Sequence, residues 1–320
     1  MEKKNIVVLD GYTLNPGDLS WDALHELGNC TIYDRTAPDQ VVERCQDADI
    51  VLTNKVLLRE SEIQQLPRLR YIGVLATGYN VIDLSAAAAR GIVVTNIPAY
   101  STASVAQMVF AHLLNIVNAV QQHTESVRNG EWCRSTDFSY MLSPQTELAG
   151  KTIGIVGLGN IGRTVADIAH AFGMRVIAKT SRRTEDLPSY ITPMPLEALL
   201  AESDVITLHC PLTPDTQHLI NKHTLTLMKQ GAILINTGRG PLIDEEAVAD
   251  ALNSGHLRAV GVDVLAVEPA SCHNPLLQAR NAFFTPHIAW ATYEARVRLM
   301  NICLDNIRAY LAGTPINRVG

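Results

Sequence analysis

Three ionisable side chains in the second half of the chain have the types needed to bind an acid and move a proton beside it. Arg239 lies in "LINTGRGPLID", Glu268 in "GVDVLAVEP" and His287 in "FFTPHIAWAT". An arginine fork matches a carboxylate, a histidine transfers protons near neutral pH, and a carboxylate orients and charges that histidine. Each residue alone is more typical of a surface charge or a core histidine. Together, each after an apolar run typical of a strand, they predict an active site for a small acid.

A glycine motif in the same half of the chain predicts a dinucleotide. Gly157, Gly159 and Gly162 form G-x-G-x-x-G directly after the apolar run "TIGIV" and at the start of a helical pattern. In this context the glycines allow a tight turn and a close approach of the backbone to a pyrophosphate, and the helix N-terminus faces the anion. Asn160 and Ile161, between the glycines, belong to the predicted site. The alternative is a plain glycine turn of an α/β protein.

The segment after the next predicted strand bears on which dinucleotide is used. An acidic residue about 20 residues beyond the glycine motif typically holds the 2′-hydroxyl of NAD. Here that place is taken by Lys179, Thr180, Ser181, Arg182 and Arg183. Hydroxyls and guanidinium groups suit a 2′-phosphate, although the same residues could form a solvated basic loop. We therefore predict NADP or NAD as cofactor, with NADP favoured, and contacts from Thr180, Ser181 and Arg182.

The elements that must position these residues form two βα series. Short apolar runs alternate with helical segments over the first hundred residues, and a second series begins near residue 152. This alternation predicts an α/β fold with two doubly wound, parallel-sheet (Rossmann-like) lobes. A helical pattern from Ser101 to Gly130 predicts one long connecting helix, and a last helix over 292–311 is expected to return to the first lobe and make it discontinuous. We assign 1–100 plus 290–320 to a substrate (catalytic) domain and 101–289 to a dinucleotide-binding domain with a dimerisation segment.

Composition excludes several other classes of function. The 320 residues carry a net charge of −6, which leaves no basic footprint for nucleic acid. No apolar stretch is long enough for a membrane span, and the N-terminus does not resemble a signal peptide, so a cytoplasmic protein is expected. Six scattered cysteines without metal-ligand spacing predict reduced, mostly buried thiols and no metal site.

The motifs in their order resemble one enzyme family. "GLGNIG", "INTGRGPLIDEEAVADAL", "GVDVLAVEP" and "TPHIAWAT" are similar to the D-isomer-specific 2-hydroxyacid dehydrogenases over essentially the whole chain. "VVLDGYTLNPGDLSW" and "HIAWAT" are most similar to the glycerate dehydrogenase (hydroxypyruvate reductase) branch. The resemblance implies an NAD- or NADP-dependent oxidoreductase acting on the CH–OH group of donors, which reduces hydroxypyruvate or glyoxylate with the reduced cofactor, NADH or NADPH. The alternatives are a dehydrogenase for another acid, of the lactate or phosphoglycerate type, and a dinucleotide-sensing corepressor-like protein.

The resemblance also implies roles for individual residues. Arg239 would bind the substrate carboxylate, and His287, paired with Glu268, would protonate the carbonyl oxygen as hydride arrives. The segment "VLATGYNVID", otherwise typical of a glycine turn before a helix, would bind the same carboxylate through the amides of Ala76, Thr77 and Gly78. Further cofactor contacts are implied for His209, Pro211, Thr216, Thr237, Gly238 and Asp263.

Aromatic residues add two more expectations. The indole of Trp290 next to the catalytic turn would narrow the substrate pocket against bulky acids, although it could also be an aromatic at the lobe interface. The segment 101–150 combines an apolar helix with Trp132, Phe138, Tyr140 and Met141. Such a surface usually binds a partner, and the resembling family is mostly dimeric through this region. We therefore expect a homodimer.

Overall fold

The computed structural model describes residues 3–320, which divide into two compact units. The first comprises the residues up to Ser101 together with Ala291–Gly320, and the second comprises Thr102–Trp290. One unit contains a five-stranded sheet and the other a seven-stranded sheet, and all neighbouring strands in both are parallel. The predicted two-lobed α/β fold with a discontinuous first lobe is therefore confirmed. The functional roles assigned to the two units stay predictions.

The first unit is built around a sheet with the strand order β2-β1-β3-β4-β5. Its strands are β1 (Lys4–Val8), β2 (Gly28–Ile32), β3 (Ile50–Thr53), β4 (Tyr71–Val74) and β5 (Val93–Thr95). The helices between them are α1 (Asp22–His25), α2 (Val41–Cys45), α3 (Glu60–Gln64) and α4 (Leu84–Ala89). The inner strands β3 and β4 are apolar runs buried along their whole length, as is usual for parallel sheets, whereas the edge strand β2 is only partly buried.

The second unit has the strand order β12-β11-β10-β9-β6-β7-β8. Its elements are α5 (Thr102–Asn118), α6 (Val120–Arg128), α7 (Glu131–Arg134), β6 (Thr152–Val156), α8 (Asn160–Ala171), β7 (Arg175–Lys179), β8 (Ile191–Pro193), α9 (Leu196–Glu202), β9 (Val205–Leu208), α10 (Lys222–Thr226), β10 (Ala232–Asn236), α11 (Glu245–Asn253), β11 (Leu257–Val262) and β12 (Ala282–Phe284). Two apolar clusters cover the sheet, with α5 and α8 in one and α9–α11 in the other. The strand order reverses between β6 and β9, and ligands of such folds bind at the carboxyl ends beside this reversal.

The prediction of one long helix from Ser101 to Gly130 is wrong, because the structure has two helices there, α5 and α6. Ala119 has a φ of 48°, in the left-handed region, and the chain bends by 53° between α5 and α6. The short strand β8 was not predicted either, because Ile191–Pro193 is brief and ends in a proline at the edge of the sheet. Neither feature changes the position of the strand ends that carry the predicted site.

The last helix, α12 (Tyr293–Leu311), is anchored to the first unit by a charged pair. Thr292 caps its N-terminus through a hydrogen bond from the amide of Ala295. Arg296, 7% exposed, donates to both carboxylate oxygens of Asp18 at 2.6 Å. The Asp18 side chain is 46% exposed, but a bidentate pair still fixes geometry strongly, and it ties the C-terminal segment to the first unit.

The structure bears on two expectations from the sequence, one about membrane-spanning helices and one about the burial of the cysteines. Within residues 3–320 no single helix is long and apolar enough to cross a membrane, and α5 with α6 passes as a bent pair on length and composition alone. The expectation of mostly buried cysteines is wrong: Cys45 and Cys303 are buried, Cys30 and Cys210 half-buried, and Cys133 and Cys272 exposed. Burial raises the pKa of Cys45 and of Cys303 to about 12, so both thiols stay protonated at neutral pH.

Candidate active site

Arg239, Glu268 and His287 follow three strands that are neighbours in the second sheet. β12 pairs with β11, and β11 pairs with β10, so their carboxyl ends share one edge. The three predicted residues lie in the loops that leave these ends. This edge is where parallel α/β sheets place their ligand sites.

His287 and Glu268 form a direct side-chain pair. The distance from His287 Nδ1 to Glu268 Oε2 is 2.6 Å, and the other carboxylate oxygen accepts from the amide of Leu265 at 3.1 Å. The imidazole is 27% exposed and the carboxylate 35%, so a ligand can reach both. Among residues 3–320 no protein group is hydrogen-bonded to His287 Nε2. The carboxylate therefore holds one ring nitrogen and leaves the other available to a ligand.

The backbone turn that carries His287 is held by Asp263. His287 has a φ of 54°, a left-handed conformation that is uncommon outside glycine. Its amide donates to the carbonyl of Asp263 at 2.8 Å, and the Asp263 carboxylate accepts from the amides of Ile288 and Ala289 at 2.9 Å each. Asp263 is only 2% exposed. These contacts fix the turn, and the cofactor contact expected of Asp263 stays a prediction.

The loop that carries Glu268 is fixed by two residues that sequence reasoning missed. Glu245, in the first turn of α11, accepts from the amide of Ala266 and from the Asn274 side chain, both at 2.8 Å. A Cβ on Gly240 would lie 1.9 Å from the carbonyl carbon of Leu265, so no larger residue fits there. The only sequence signals were the capped helix start "DEEAV" and the glycine after Arg239. Neither signal indicates that Glu245 or Gly240 contacts the loop that carries Glu268.

Arg239 projects from a turn that is clamped by Asn236. The Asn236 side chain accepts from the amide of Gly238 at 3.0 Å and donates to the carbonyl of Arg239 at 2.9 Å. One guanidinium nitrogen donates to the Gly238 carbonyl at 2.8 Å. Within residues 3–320 no carboxylate lies within ion-pair distance of this guanidinium. Its remaining N–H groups can therefore bind an external anion.

The three glycines of the motif serve different purposes. Gly157 has a φ of +96°, and a Cβ there would lie 2.6 Å from the amide nitrogen of Cys210. A Cβ on Gly162 would lie 2.1 Å from the carbonyl oxygen of Gly157, whereas one on Gly159 would meet nothing within 4 Å. The first and third glycines thus keep the loop compact, and the second faces open space. No side chain caps the start of α8 at Asn160, so its first amides can receive an anion.

Thr237 provides an independent test of whether a dinucleotide fits. Its hydroxyl oxygen is buried and, among residues 3–320, has no hydrogen-bond partner. Buried polar groups are nearly always paired, and Thr237 and Gly238 follow the end of β10, two strands from the glycine loop along the sheet. An orphaned hydroxyl and an open glycine loop at the same edge fit a cofactor that supplies the missing partner.

The segment after β9 forms the other wall of the glycine loop. His209 directly precedes the amide against which Gly157 packs, and its Nε2 lies 2.9 Å from the Thr207 hydroxyl. Burial lowers the pKa of His209 to about 4, so it is neutral at pH 7. The Thr216 hydroxyl donates to the Pro211 carbonyl at 2.7 Å, which closes the following loop. Contacts of these residues with a cofactor stay predictions.

The arginines after β7 have different surroundings. Arg182 donates from Nε to the carbonyl of Leu158, in the glycine loop, at 3.1 Å, and its amide donates to the Thr180 hydroxyl at 3.1 Å. Arg183 instead pairs with the carboxylate of Glu185 at 3.3 Å. Arg182 therefore lies against the dinucleotide motif, whereas Arg183 is neutralised by its own neighbours. Ser181 is exposed beside them.

The predicted carboxylate-binding loop of the first unit follows β4. The Thr77 hydroxyl donates to the Ile97 carbonyl, and the Asn96 side chain donates to the Thr77 carbonyl, both at 2.8 Å. Within residues 3–320 the amides of Ala76, Thr77 and Gly78 have no acceptor. The loop is therefore held by its carbonyl and hydroxyl groups, and its amides are available to an anion.

Known proteins are similar to this chain along nearly its whole length. The family model "D-isomer specific 2-hydroxyacid dehydrogenase, NAD binding domain" matches residues 110–289. A hydroxypyruvate reductase of Blautia hydrogenotrophica is 47% identical over 321 residues, covering 98% of this chain and 99% of the relative. The chain belongs to the D-isomer-specific 2-hydroxyacid dehydrogenase family. It is an NAD(P)-dependent oxidoreductase acting on CH–OH donors, as the sequence predicted.

Two further dehydrogenase-fold proteins extend the comparison. A glycerate dehydrogenase of Methylorubrum extorquens is 41% identical over 319 residues, covering 99% of both chains. An acyclic imino acid reductase solved with NADPH and D-Arg superposes with a TM-score of 0.86 at 33% identity, covering 99% of this chain and 100% of that one. The similarity therefore includes the first unit as well as the second.

Proposed function

We propose that this dehydrogenase reduces hydroxypyruvate or glyoxylate to the corresponding D-2-hydroxy acid or glycolate. The observation that carries the proposal is the 2.6 Å contact between His287 Nδ1 and Glu268 Oε2 at a strand edge shared with the unpaired guanidinium of Arg239. These are the groups needed to bind a carboxylate and to protonate a carbonyl oxygen. The names of two relatives, hydroxypyruvate reductase and glycerate dehydrogenase, support the substrate class.

The proposed mechanism divides the work between the cofactor and the chain. When bound at the glycine loop of Gly157, Gly159 and Gly162, a reduced nicotinamide cofactor would supply the hydride. The planar fork of Arg239 binds the substrate carboxylate and polarises the adjacent carbonyl. His287 donates a proton from Nε2 to the carbonyl oxygen, and Glu268 stabilises the protonated ring before transfer. The amides of residues 76–78 are proposed to bind the same carboxylate, and Trp290 to limit the size of the group attached to the keto carbon.

A panel of keto acids tests the proposal. Hydroxypyruvate, glyoxylate, pyruvate and a branched keto acid are each supplied with NADPH or NADH, and the oxidation of the reduced cofactor is followed by absorbance. The proposal requires the highest kcat/KM with hydroxypyruvate or glyoxylate. A preference for pyruvate or the branched acid would indicate a dehydrogenase for another acid, and the absence of turnover with every acid would favour a binding protein.

Replacing Glu268 by glutamine should move the pH profile of reduction. The amide keeps the shape of the side chain but removes a negative charge 2.6 Å from the imidazole, and that charge favours the protonated ring. As the pH rises, the variant should therefore lose its reducing activity at a lower pH than the wild type does. The measurement is kcat/KM for hydroxypyruvate between pH 5 and 9. An unmoved profile would show that the carboxylate does not act on the proton donor.

We propose further that NADP is preferred over NAD. Arg182 lies against the glycine loop at Leu158, and the Thr180 hydroxyl is hydrogen-bonded to the Arg182 backbone. A 2′-phosphate brings about two negative charges, which a guanidinium and hydroxyls can bind. The solved relative that holds NADPH supports this preference.

The cofactor preference is expected to reverse in a double variant. The wild type should use NADPH with a higher kcat/KM than NADH, and Thr180→Asp with Arg182→Ala should prefer NADH. Loss of one charge-assisted contact corresponds to about 1.5–3 kcal/mol, or roughly 10- to 150-fold in NADPH efficiency. Arg183→Ala is the matched control, because Arg183 is already paired with Glu185 and should change the preference little. A wild type that prefers NADH would contradict the assignment.

We also propose a homodimer formed through the segment after α5. Phe138 is 90% exposed, Met141 74%, Val120 63% and Trp132 53%, which is unusual for large apolar side chains on one segment. A groove of about 660 Å³ lies beside them between α6 and the Tyr140–Met141 stretch. A second copy of the chain is the proposed occupant. Cytoplasmic localisation likewise stays a prediction.

Replacing Phe138 by aspartate should weaken this dimer. A charge at the centre of an apolar interface cannot be desolvated without a partner, so dissociation should occur at higher protein concentration. Light scattering coupled to size exclusion gives the mass at each concentration. Ile316→Asp, at a 47% exposed apolar residue of the first unit, is the control and should remain dimeric. A wild type of 34.9 kDa at all concentrations would contradict the proposal.

A further inference from the structure

His112 is a buried histidine of α5 that the proposed mechanism does not use. It is 5% exposed, and its Cβ lies 2.8 Å from where a Cβ on Gly261 would be. The glycine in β11 therefore makes room for the imidazole against the sheet. Burial holds the pKa of His112 below its usual value, so at neutral pH the ring is uncharged and carries one N–H donor.

That single donor has a defined partner. His112 Nε2 lies 3.0 Å from the hydroxyl oxygen of Thr285, and the same oxygen lies 2.5 Å from Oδ1 of Asp263. An ionised carboxylate can only accept, so the threonine must donate its proton to Asp263. The hydroxyl oxygen is then the acceptor for His112, which places the imidazole proton on Nε2. The order of donation is His112 to Thr285 to Asp263.

Asp263, the last acceptor in this series of hydrogen bonds, holds the turn that carries His287. Asp263 accepts from Thr285, two residues before His287, and from Ile288 and Ala289 after it. A second α5 contact reaches the same turn, because the Ser104 hydroxyl donates to the Ala289 carbonyl at 2.5 Å. Helix α5 thus fastens both sides of a turn whose central residue has a left-handed φ.

We propose that His112 is a positioning residue, which acts through Thr285 and Asp263 to aim the imidazole of His287. The proposal rests on the proposed role of His287 as proton donor. Without the His112 donor, the Thr285 hydroxyl can rotate away from Asp263, and the carboxylate then keeps its contacts with the amides of Ile288 and Ala289 but loses its contact with a side chain. The left-handed turn can then relax. A displacement of about 1 Å at a reacting group can lower a rate by roughly 100-fold.

Substitutions at His112 separate positioning from packing. His112→Leu fills the space but has no donor, whereas His112→Gln can present an N–H near the position of Nε2. We expect His112→Leu to lower kcat for hydroxypyruvate by about tenfold or more, with KM for the cofactor nearly unchanged, and His112→Gln to restore most of the loss. Val109→Ala removes apolar volume from the same buried helix and should leave kcat near wild type.

A double-mutant cycle tests the route through Thr285. Thr285→Val should lower kcat as His112→Leu does, and the double variant should be little worse than either, because both remove the same connection. If His112→Leu does not fold, His112→Gln and Thr285→Val still test the connection. Additive losses, an unaffected kcat in His112→Leu, or an equal loss in Val109→Ala would each overturn the proposal.

A readout without turnover keeps this inference distinct from the proposed function. In protein with ¹⁵N-labelled histidine, the ring signals of His287 should move in His112→Leu and Thr285→Val, and stay in place in Val109→Ala. If the wild type reduces no keto acid but the His287 signals still move in His112→Leu and Thr285→Val, the positioning role is supported while the proposed function fails. Unmoved His287 signals in an active enzyme would overturn the positioning role alone.

Discussion

Replacing Arg239 by lysine is expected to lower kcat/KM for hydroxypyruvate by roughly 30- to 900-fold. The loss corresponds to about 2–4 kcal/mol, the scale for one charge-stabilising donor in an active site. Lysine keeps the positive charge but not the planar fork that binds a carboxylate bidentately. The clamp from Asn236 contacts only backbone atoms of this turn, so the variant should keep the loop conformation. Steady-state kinetics with hydroxypyruvate give the number.

A matched arginine separates this effect from a general loss of charge. Arg258 is the second residue of β11 and lies at the amino end of this parallel strand. Its guanidinium donates to the Thr146 hydroxyl and the Pro144 carbonyl. Arg258→Lys should leave kcat/KM within about twofold, on the usual scale of substitutions away from a site. Near-wild-type turnover in Arg239→Lys would remove Arg239 from the carboxylate site.

Replacing His287 by asparagine is expected to lower kcat for reduction by about 100- to 10,000-fold. This is the usual contribution of a positioned general acid. Asparagine is among the few residues that tolerate a left-handed φ, so the turn at 54° should persist. Its side-chain amide can still donate to Glu268, but nothing remains at the position of Nε2 to protonate a carbonyl oxygen.

His218 offers a control with the same backbone conformation. Its φ is 50°, it is exposed, and its own amide donates to the Pro241 carbonyl at 2.8 Å. His218→Asn should retain full activity, which would show that the exchange itself is harmless in a left-handed turn. A His287→Asn variant that keeps wild-type kcat would require a different proton donor.

The fold was predictable because its elements are locally encoded. Short Val/Ile runs separated by helical segments predicted both parallel sheets, and eleven of the strands follow these runs. The bend at Ala119 was not predictable in the same way, since neither glycine nor proline marks it. Alanine does not favour this left-handed conformation locally, and the Ala119 carbonyl is bound there by the amide of His123 at 3.0 Å and lies 2.9 Å from His123 Nδ1.

The candidate site was predictable only as far as motifs carry chemistry. Arg239, Glu268 and His287 could be named because each follows a strand and because the motifs resemble a known family. The supporting residues could not, since their partners are remote in sequence. His112 and Thr285 are 173 residues apart, and Glu245 reaches Asn274 across 29 residues. Such contacts depend on the order of strands in the sheet, which no local pattern specifies.

The central claim is that hydride passes from the nicotinamide to C2 of the keto acid and gives the D-isomer. The position of the transferred hydrogen atom in the product tests this claim most directly. Hydroxypyruvate is reduced with NADPH that carries deuterium at both C4 positions, and the product is analysed by mass spectrometry and chiral chromatography. We predict D-glycerate with a single deuterium, bound to C2, because hydride reaches the carbonyl carbon and the oxygen receives an exchangeable proton. Glycerate without deuterium at C2, or a product that is the L-isomer or a mixture, would contradict the account.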